Sequence, residues 1–313
     1  MNHNLLKEAD FVDLYLGRDY AEIKGLVGES SLLVPVPDNL KPDTEKLRTS
    51  ATDEHNRTGR YEFSLFYDER LYRITVTADL FGDTNLVIRQ TPPEIRAFNT
   101  VPLSTPLRTS VVFPGATGLF LIAGEMGSGK TTTAAAVLRE RVAVTGSLSV
   151  SIEDPAETLL QGRHGAGRCM QLEVKENETY ASATKKAYRM GASSFLLGEI
   201  RDAATAHEVL KASLSMFVVS TIHASSLTEA LERYVMFCEE ISTAAKANIA
   251  STLYVLVHQR MRVNPNDNTR QVEITGFNLK NTPSAPTIRA KIAGGNFHAL
   301  TDDFSSISYD FKE

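Results

Sequence analysis

The chain has 313 residues, of which 42% are hydrophobic and 23% charged, as expected for a globular protein with a sizeable core. Its net charge of -5 argues against a protein that holds nucleic acid along a groove, because such proteins usually carry a basic balance. The two cysteines, Cys169 and Cys238, are too few for a disulfide scaffold or a four-cysteine zinc site.

The N-terminus has no basic head followed by an apolar stretch, so it does not resemble a signal peptide. No apolar run approaches the ~18 residues that are needed to span a bilayer. We therefore expect a cytoplasmic protein that does not insert into a membrane and that reaches one only through a partner.

The first hundred residues predict a small α+β domain. Three period-2 runs within 61–90, separated by turns at 68–69 and 82–83, indicate an antiparallel meander. A short helix is predicted at 19–24, and 37–57 is a polar stretch with no predicted element.

A proline-rich stretch at 91–114 follows this domain. Proline lacks a backbone donor and discourages regular elements, so the stretch is predicted to be a linker. Its prolines are Pro92, Pro93, Pro102, Pro106 and Pro114. We place the N-terminal domain at 1–98, the linker at 99–113 and the second domain at 114–313.

Strands and helices alternate in the second domain. The predicted strands are GLFLIAG, LSVSIED, SSFLLGE and FVVSTIH, and the predicted helices span about 131–144, 202–214 and 227–240. Continuous apolar strands between helices predict a mostly parallel sheet covered on both faces. After it, LYVLVHQRM and VEITGFNL flank NPNDN as a hairpin, 286–293 is a short helix, and the acidic tail from Thr301 is expected to fray.

The motif GxxxxGK[ST] is present as GEMGSGKT, after an apolar strand and before a helix. Its glycines let backbone N–H groups surround phosphates, and the helix N-terminus adds its positive dipole end. The lysine of such a loop reaches the β- and γ-phosphates, and the hydroxyl after it ligates Mg²⁺. The motif therefore predicts an ATPase that uses ATP and Mg²⁺. We expect seven residues to bind the nucleotide: Gly124, Gly127, Ser128, Gly129, Lys130, Thr131 and Thr132, with Thr131 also on the metal.

Three further strands end in polar residues that should share one edge of the sheet with this loop. Glu153 and Asp154 follow one strand, Glu199 ends another, and Thr221 and His223 end a third. A carboxylate there can hold Mg²⁺, and another can orient the attacking water and take its proton. A histidine there can donate to the γ-phosphate.

Four motifs resemble, in order and spacing, the Walker A, Asp box, Walker B and His box of the secretion-ATPase superfamily: GEMGSGKTTT, SIEDPAE, FLLGEIRD and STIHASS. That family powers type II and type IV secretion and type IV pili. The resemblance extends to QRM at 259–261, to APTIRAKIAGG at 285–295 and to ADFVDLYLG near the N-terminus. No cysteine-rich metal site like that of many assembly-type relatives is present. These features favour the retraction-type (PilT-like) branch or the conjugation-associated (DotB-like) branch.

The resemblance implies a RecA-like P-loop ATPase core with a smaller, PAS-like α+β N-terminal domain. It implies that Glu153 and Glu199 serve in water activation, with Glu199 also on Mg²⁺, and that His223 is the His-box histidine. It implies that Arg73 and Arg89 contribute to the phosphates. It further implies a homo-hexamer that works on a pilus or secretion apparatus at the inner membrane through a platform protein.

One departure concerns 192–194, where the family often has Asp-Pro-Asp and this chain has Ala-Ser-Ser. We expect this change to remove a carboxylate near the site and to leave more of the metal binding to Glu199. Two alternatives to a motor stay open. One is a nucleic-acid translocase on the same core, which the basic stretch GRHGAGR at 162–168 supports. The alternative interpretation of that stretch is a mobile surface loop. A nucleotide-binding scaffold that barely hydrolyses is the other.

Overall fold

The structure is a computed structural model, and it describes residues 5–175, 178–263, 270–280 and 282–312. The chain forms two compact units. The first contains Met1–Glu94 and Asp154–Leu159, and the second contains Ile95–Glu153 and Leu160–Glu313. The predicted domain limits at 98 and 113 stay a prediction. No helix among the described residues is long and apolar enough to cross a bilayer.

The first unit is a six-stranded antiparallel sheet with two helices, in the strand order β3-β2-β1-β6-β5-β4. Its elements are α1 (Leu5–Glu8), β1 (Asp13–Leu16), β2 (Ala21–Lys24), β3 (Leu33–Pro35), α2 (Lys41–Thr58), β4 (Glu62–Tyr67), β5 (Arg70–Ala78) and β6 (Thr84–Gln90). The predicted meander is confirmed as β4, β5 and β6. Its first turn has positive φ at both Asp68 and Glu69, as a tight two-residue hairpin requires.

One prediction for this unit is wrong, and one stretch without a predicted element proves to be helical. Residues 19–24 form no helix, because β2 pairs with β1 on one side and β3 on the other, and a short isolated helix has no comparable source of stability. The 18-residue helix α2 covers most of the polar stretch 37–57, extends to Thr58 and is followed by the left-handed Gly59. Its apolar stripe is narrow, with Leu47 and Ala51 one turn apart in the core, so the sequence pattern gave little signal.

The second unit contains a nine-stranded sheet in the order β15-β14-β13-β7-β12-β11-β8-β10-β9. Its elements are a 3-10 turn (Phe98–Thr100), α3 (Thr105–Val112), β7 (Gly118–Gly124), α4 (Lys130–Thr145), β8 (Leu148–Glu153), β9 (Gly162–His164), β10 (Gly167–Glu173), α5 (Tyr180–Tyr188), β11 (Ser194–Ile200), α6 (Ala203–Ser213), β12 (Phe217–His223), α7 (Leu227–Glu239), α8 (Ala245–Thr252), β13 (Leu253–Val263), β14 (Arg270–Asn278), α9 (Ala285–Ala293), α10 (Leu300–Ile307) and β15 (Tyr309–Lys312).

The centre of this sheet, from β13 to β10, is parallel, which confirms the predicted α/β class. Strand β7 alternates between two cores: Leu119 and Leu121 face one, and Phe120 and Ile122 face the other. Helices therefore cover both faces, as the continuous apolar strands predicted. The terminal hairpin of β13 and β14 is also confirmed, but its NPNDN turn lies outside the described residues.

Three expectations for this unit need correction. The stretch 91–114 contains regular structure, namely the 3-10 turn and α3. Pro106 is tolerated there because it lies in the first turn of α3, where an N–H would have no intrahelical partner. The basic stretch 162–168 is not a mobile loop: β9 and β10 form a hairpin there, and β10 adds to the sheet beside β8. The tail from Thr301 does not fray over its described part, because Phe304 of α10 is buried in the core and β15 pairs with β14.

Candidate functional site

The loop after β7 wraps back toward the end of its own strand. Gly129 precedes α4 with φ of 86°, a left-handed conformation that favours glycine. At Gly124 a Cβ would lie 2.3 Å from the carbonyl oxygen of Gln259, so the close approach of β13 requires glycine there as well. Gly127, between them, is also left-handed, and Ser128 donates from Oγ to the Glu125 carbonyl at 2.8 Å.

Lys130 is the first residue of α4 and is 6% exposed. Its Nζ donates to the carbonyl oxygens of Gly124 at 3.0 Å and Glu125 at 2.9 Å, and lies 3.4 Å from Nδ1 of His223. Thr131 and Thr132 follow in the first helical turn and are half-buried. The loop, the lysine and the predicted metal-binding hydroxyl are thus arranged around one helix N-terminus.

The register of the parallel strands brings two further side chains to the loop. His223 of β12 pairs with Gly124 on one side, and Gln259 of β13 pairs with it on the other. The carboxyl ends of parallel strands meet at one edge of a sheet, which is where nucleotides bind in open α/β folds. The predicted convergence of His223 on the loop is therefore present.

Glu199 reaches the same place through an irregularity in β11. Up to Leu197 the strand pairs in step with β12, but Glu199 lies opposite Thr221 and not Ile222. The extra residue, Gly198, forms a bulge, and bulges often re-aim side chains next to active sites. Because alternate residues of a strand share a face, the bulge places Glu199 on the side of Thr221 and His223.

A chain of polar contacts then runs along this edge. Glu199 Oε1 lies 2.8 Å from His223 Nε2, and its Oε2 accepts a hydrogen bond from Arg201 Nε at 3.1 Å. Since Lys130 can only donate, Nδ1 of His223 is the acceptor and Nε2 carries the proton that faces Glu199. Burial and then the nearby Lys130 charge lower the pKa of His223, so the neutral ring is favoured.

An NMR titration should therefore give His223 a pKa below its ordinary value of 6.5. Lys130→Met should raise that pKa because it removes a like charge, and Glu199→Gln should lower it further because it removes the opposing charge. The neutral ring contributes stability above the unfolded pKa, and this contribution is lost as pH falls through the folded pKa. A wild-type pKa above 6.5 would contradict the neutral assignment.

Glu153 lies at the end of β8 and is 3% exposed. Its Oε1 accepts from Nε2 of Gln171 at 2.9 Å, and the Oε1 of that glutamine accepts from the backbone N–H groups of Leu160 and Gln161. The predicted carboxylate is thus held at the sheet edge by an amide from the neighbouring strand β10. Glu153 is two strands away from β12, and its role in water activation stays a prediction.

Arg73 and Arg89 lie in the first unit, directly opposite each other on β5 and β6. Arg73 Nη1 donates to Glu157 Oε1 at 2.5 Å, and Arg89 Nε donates to Asp13 Oδ1 at 2.7 Å. Like charges opposite each other destabilise a sheet, and these carboxylates offset that repulsion. Their predicted role at the phosphates remains a prediction.

The departure at 192–194 does not affect the site as the sequence suggested. Ser194 is the first residue of β11, five residues before Glu199, so ~16 Å of extended strand separates the two ends. Its Oγ accepts a hydrogen bond from Arg141 Nε at 3.0 Å. The serine therefore lies in the core at the amino end of β11, whereas the site lies at the carboxyl ends of the strands. The Ala-Ser-Ser sequence at 192–194 thus removes no carboxylate near the site.

Sequence reasoning assigned no role to three residues that contact the predicted site residues. Gln171 holds Glu153, Gln259 contacts the loop, and Arg233 donates to the His223 carbonyl at 3.2 Å. Gln259 stood out only as part of the QRM motif. The others carry no motif of their own, because their contacts depend on strand order and helix packing.

A sequence profile of the family described as type II/IV secretion system protein matches residues 80–295, more than half of the chain. The chain belongs to this family. This family member is an ATPase. It is 27% identical over 275 residues to the uncharacterized protein YggR of Escherichia coli K12, an alignment that covers 83% of the chain and 79% of YggR.

The same family member is 26% identical over 245 residues to the type IV pilus ATPase PilU of Pseudomonas aeruginosa, which covers 77% of the chain and 59% of PilU. Its fold is similar to the pilus retraction motor PilT with bound ADP, with a TM-score of 0.76, 22% identity and coverage of 96% and 88% of the two chains. It is also similar to the Legionella pneumophila ATPase DotB, with a TM-score of 0.73, 18% identity and coverage of 94% and 84%. These likenesses confirm a RecA-like core with an N-terminal domain.

Proposed function

We propose that this protein is a Mg²⁺-dependent ATP hydrolase that works as a hexameric motor on a type IV pilus or a type IV secretion apparatus. The observation that carries the hydrolytic part is the contact chain from Lys130 through His223 to Glu199 beside the P-loop. The motor part is supported by family membership and by the similarity to pilus and secretion ATPases.

In this proposal the P-loop amides, Lys130 and the start of α4 bind the phosphates, and Glu199 takes the proton of the attacking water. The structure shows Glu199 held between His223 and Arg201, 20% exposed, which fixes its carboxylate at the sheet edge. Neutral His223 directs its Nε2 proton toward Glu199. If this N–H donated to a γ-phosphate oxygen in place of Glu199, the position of the histidine would depend on whether the γ-phosphate is present. Glu153, fixed by Gln171, is a second acidic group for the same water.

The donor set fits Mg²⁺, which favours hard oxygen ligands and keeps much of its coordination for phosphates and water. Among the described residues, no three His, Cys, Asp or Glu side chains are grouped as metal ligands. From the chemistry of the motifs, the Thr131 hydroxyl and the Glu199 carboxylate would hold the ion together with the phosphates. When bound, the ion would neutralise the charge that develops on the phosphate oxygens.

Arg73 and Arg89 are proposed to contribute to the phosphates during turnover. Each is paired with a carboxylate of its own unit, so each would exchange that partner for a phosphate oxygen. An arginine that stabilises the charge of the transferring phosphoryl group can raise the rate by roughly 10³-fold or more.

The partner in this proposal is a platform protein of the inner membrane, with the motor on the cytoplasmic side. PilU is a type IV pilus ATPase, PilT is a pilus retraction motor, and DotB is an ATPase. Retraction-like work on a pilus and work on a secretion or conjugation apparatus share the same hydrolytic step. The two are separated by the apparatus with which the chain assembles.

ATPase activity per subunit should rise with protein concentration as a species of ~200 kDa forms, because the sites of a ring depend on their neighbours. Light scattering on the same samples gives the mass. A flat rate from a monomer, also in the presence of its membrane apparatus, would refute the ring motor and leave the ATPase intact. Stimulation by single-stranded DNA in the same assay would favour the nucleic-acid translocase.

A further inference from the structure

A buried glutamine touches the P-loop from the neighbouring strand. Gln259 on β13 is 1% exposed, and its Nε2 donates to the carbonyl oxygen of Ser128 at 2.5 Å. Ser128 supplies an acceptor, so the group facing it must be the NH₂ of the amide. The contact joins two segments that are 131 residues apart in the sequence.

This hydrogen bond fixes the orientation of one peptide of the loop. In a trans peptide the C=O and the following N–H point in opposite directions. With the Ser128 carbonyl directed at Gln259, the N–H of Gly129 is directed away from Gln259. Backbone N–H groups that converge on one space are what makes a P-loop an anion site. The contact thus controls one of the donors that this loop offers to a phosphate.

The Gln259 amide packs close to Gly129. A Cβ on Gly129 would lie 3.0 Å from Nε2 of Gln259 and 3.7 Å from Cε of Met261. The left-handed φ of 86° already favours glycine at this position. Glycine therefore allows both the loop conformation and the close contact with the amide.

The oxygen of the Gln259 amide lowers the stability of the fold. Oε1 of Gln259 is buried and has no hydrogen-bond partner among the described residues. A buried acceptor without a partner destabilises the fold, so an apolar side chain of similar length would suit the packing better. The position nevertheless carries an amide whose NH₂ is used on the P-loop. This combination indicates that the Gln259 side chain serves to hold the P-loop and does not serve to stabilise the core.

Resting on the proposed function, we propose that Gln259 is a positioning residue for nucleotide binding, which holds the Ser128–Gly129 peptide in its phosphate-binding orientation. It touches no reacting atom. It acts through the loop, and it connects the nucleotide site to the hairpin of β13 and β14. A change in the hairpin would then alter nucleotide affinity through this one side chain.

Gln259→Met keeps the length and removes the amide. We expect mant-ADP to bind about tenfold more weakly, which corresponds to about 1.4 kcal/mol, close to the net value of one hydrogen bond. The midpoint of thermal unfolding should change little, because the removal of the buried unpaired Oε1 offsets the loss of the donor to the Ser128 carbonyl. Gln259→Glu should bind more weakly still, because its carboxylate cannot donate and its negative charge repels both the Ser128 carbonyl oxygen and the phosphates. Part of that loss, relative to wild type, should return at lower pH, where a neutral acid can donate.

Asn278→Leu is a matched control, because Asn278 is a 6% exposed amide on the same hairpin, at the end away from the loop. Its Nδ2 donates to Ser110, so the variant should unfold at a lower temperature yet bind mant-ADP normally. A Gln259→Met variant that binds like wild type, or whose affinity falls only in step with its unfolding midpoint, would overturn the inference alone. A wild-type chain that binds no mant-ADP would overturn the proposed function itself.

Discussion

Glu199→Gln is expected to lower kcat for ATP hydrolysis by about 10²- to 10⁴-fold, the range for loss of a general base. Glutamine keeps the shape of the side chain and can still contact His223 and Arg201, but it cannot take a proton from water. In the proposed function Lys130 and the loop backbone bind the phosphates, so the affinity for mant-ADP without added Mg²⁺ should change by less than about threefold. Steady-state turnover and nucleotide titration of both proteins give the two numbers.

Glu240→Gln provides the control, because Glu240 is exposed after α7 and has no place in the site. It should leave kcat unchanged. Equal turnover of wild type and Glu199→Gln would contradict the role of Glu199 and would favour a nucleotide-binding scaffold that switches state but barely hydrolyses. A large loss of mant-ADP affinity without a loss of kcat would place Glu199 in binding and not in water activation.

Arg141→Met is expected to destabilise the second unit by about 3 kcal/mol or more, and to lower its thermal unfolding midpoint by about 6–12 °C. Arg141 is 4% exposed, near the end of α4. Its guanidinium donates to five acceptors: Val111 O, Phe113 O, Pro114 O, Ala116 O and Ser194 Oγ. It also lies 4.2 Å from the centroid of the Phe217 ring. Without it, the buried carbonyls of Val111, in the last turn of α3, and of Ala116 lose this donor.

Arg141→Lys should recover only part of this stability. Lysine keeps the positive charge, but its single ammonium cannot reach five acceptors spread over a planar fork. Arg139→Met, two residues earlier and exposed on the same helix, removes one hydrogen bond to Ile95 and should cost less than about 1 kcal/mol. Differential scanning calorimetry of the three variants tests the ranking. An Arg141→Met protein as stable as Arg139→Met would show that water replaces the guanidinium.

The contacts of Arg141 fix the far end of α4, the helix that begins at the P-loop. Lys130 begins the helix at the P-loop, and Arg141 ties its far end to the chain that leads into β7. Both ends of α4 are therefore fixed, one by the loop and one by the buried guanidinium. This explains why Ser194, at the start of β11, belongs to the core and not to the chemistry.

Much of the ATPase half could be predicted from the sequence alone. Local signals are strong there: glycines that need left-handed φ, the lysine and hydroxyl after them, and apolar strands long enough to be buried on both faces. Strand–helix alternation then implies a parallel sheet whose carboxyl ends share one edge. The approximate positions of Glu153, Glu199 and His223 follow from that rule without knowledge of any contact.

Tertiary structure decided what depends on partners distant in sequence. Helix α2 and strand β2 take their form from the elements they pack or pair with, because a narrow apolar stripe or a four-residue run has little intrinsic preference. The bulge at Gly198, which turns Glu199 toward His223, exists only in the register between β11 and β12. Gln259 reaches Ser128 across 131 residues for the same reason. The sequence alone thus determines which residue types lie at the site. The directions of their side chains depend on strand register and helix packing, which arise only when the strands pair.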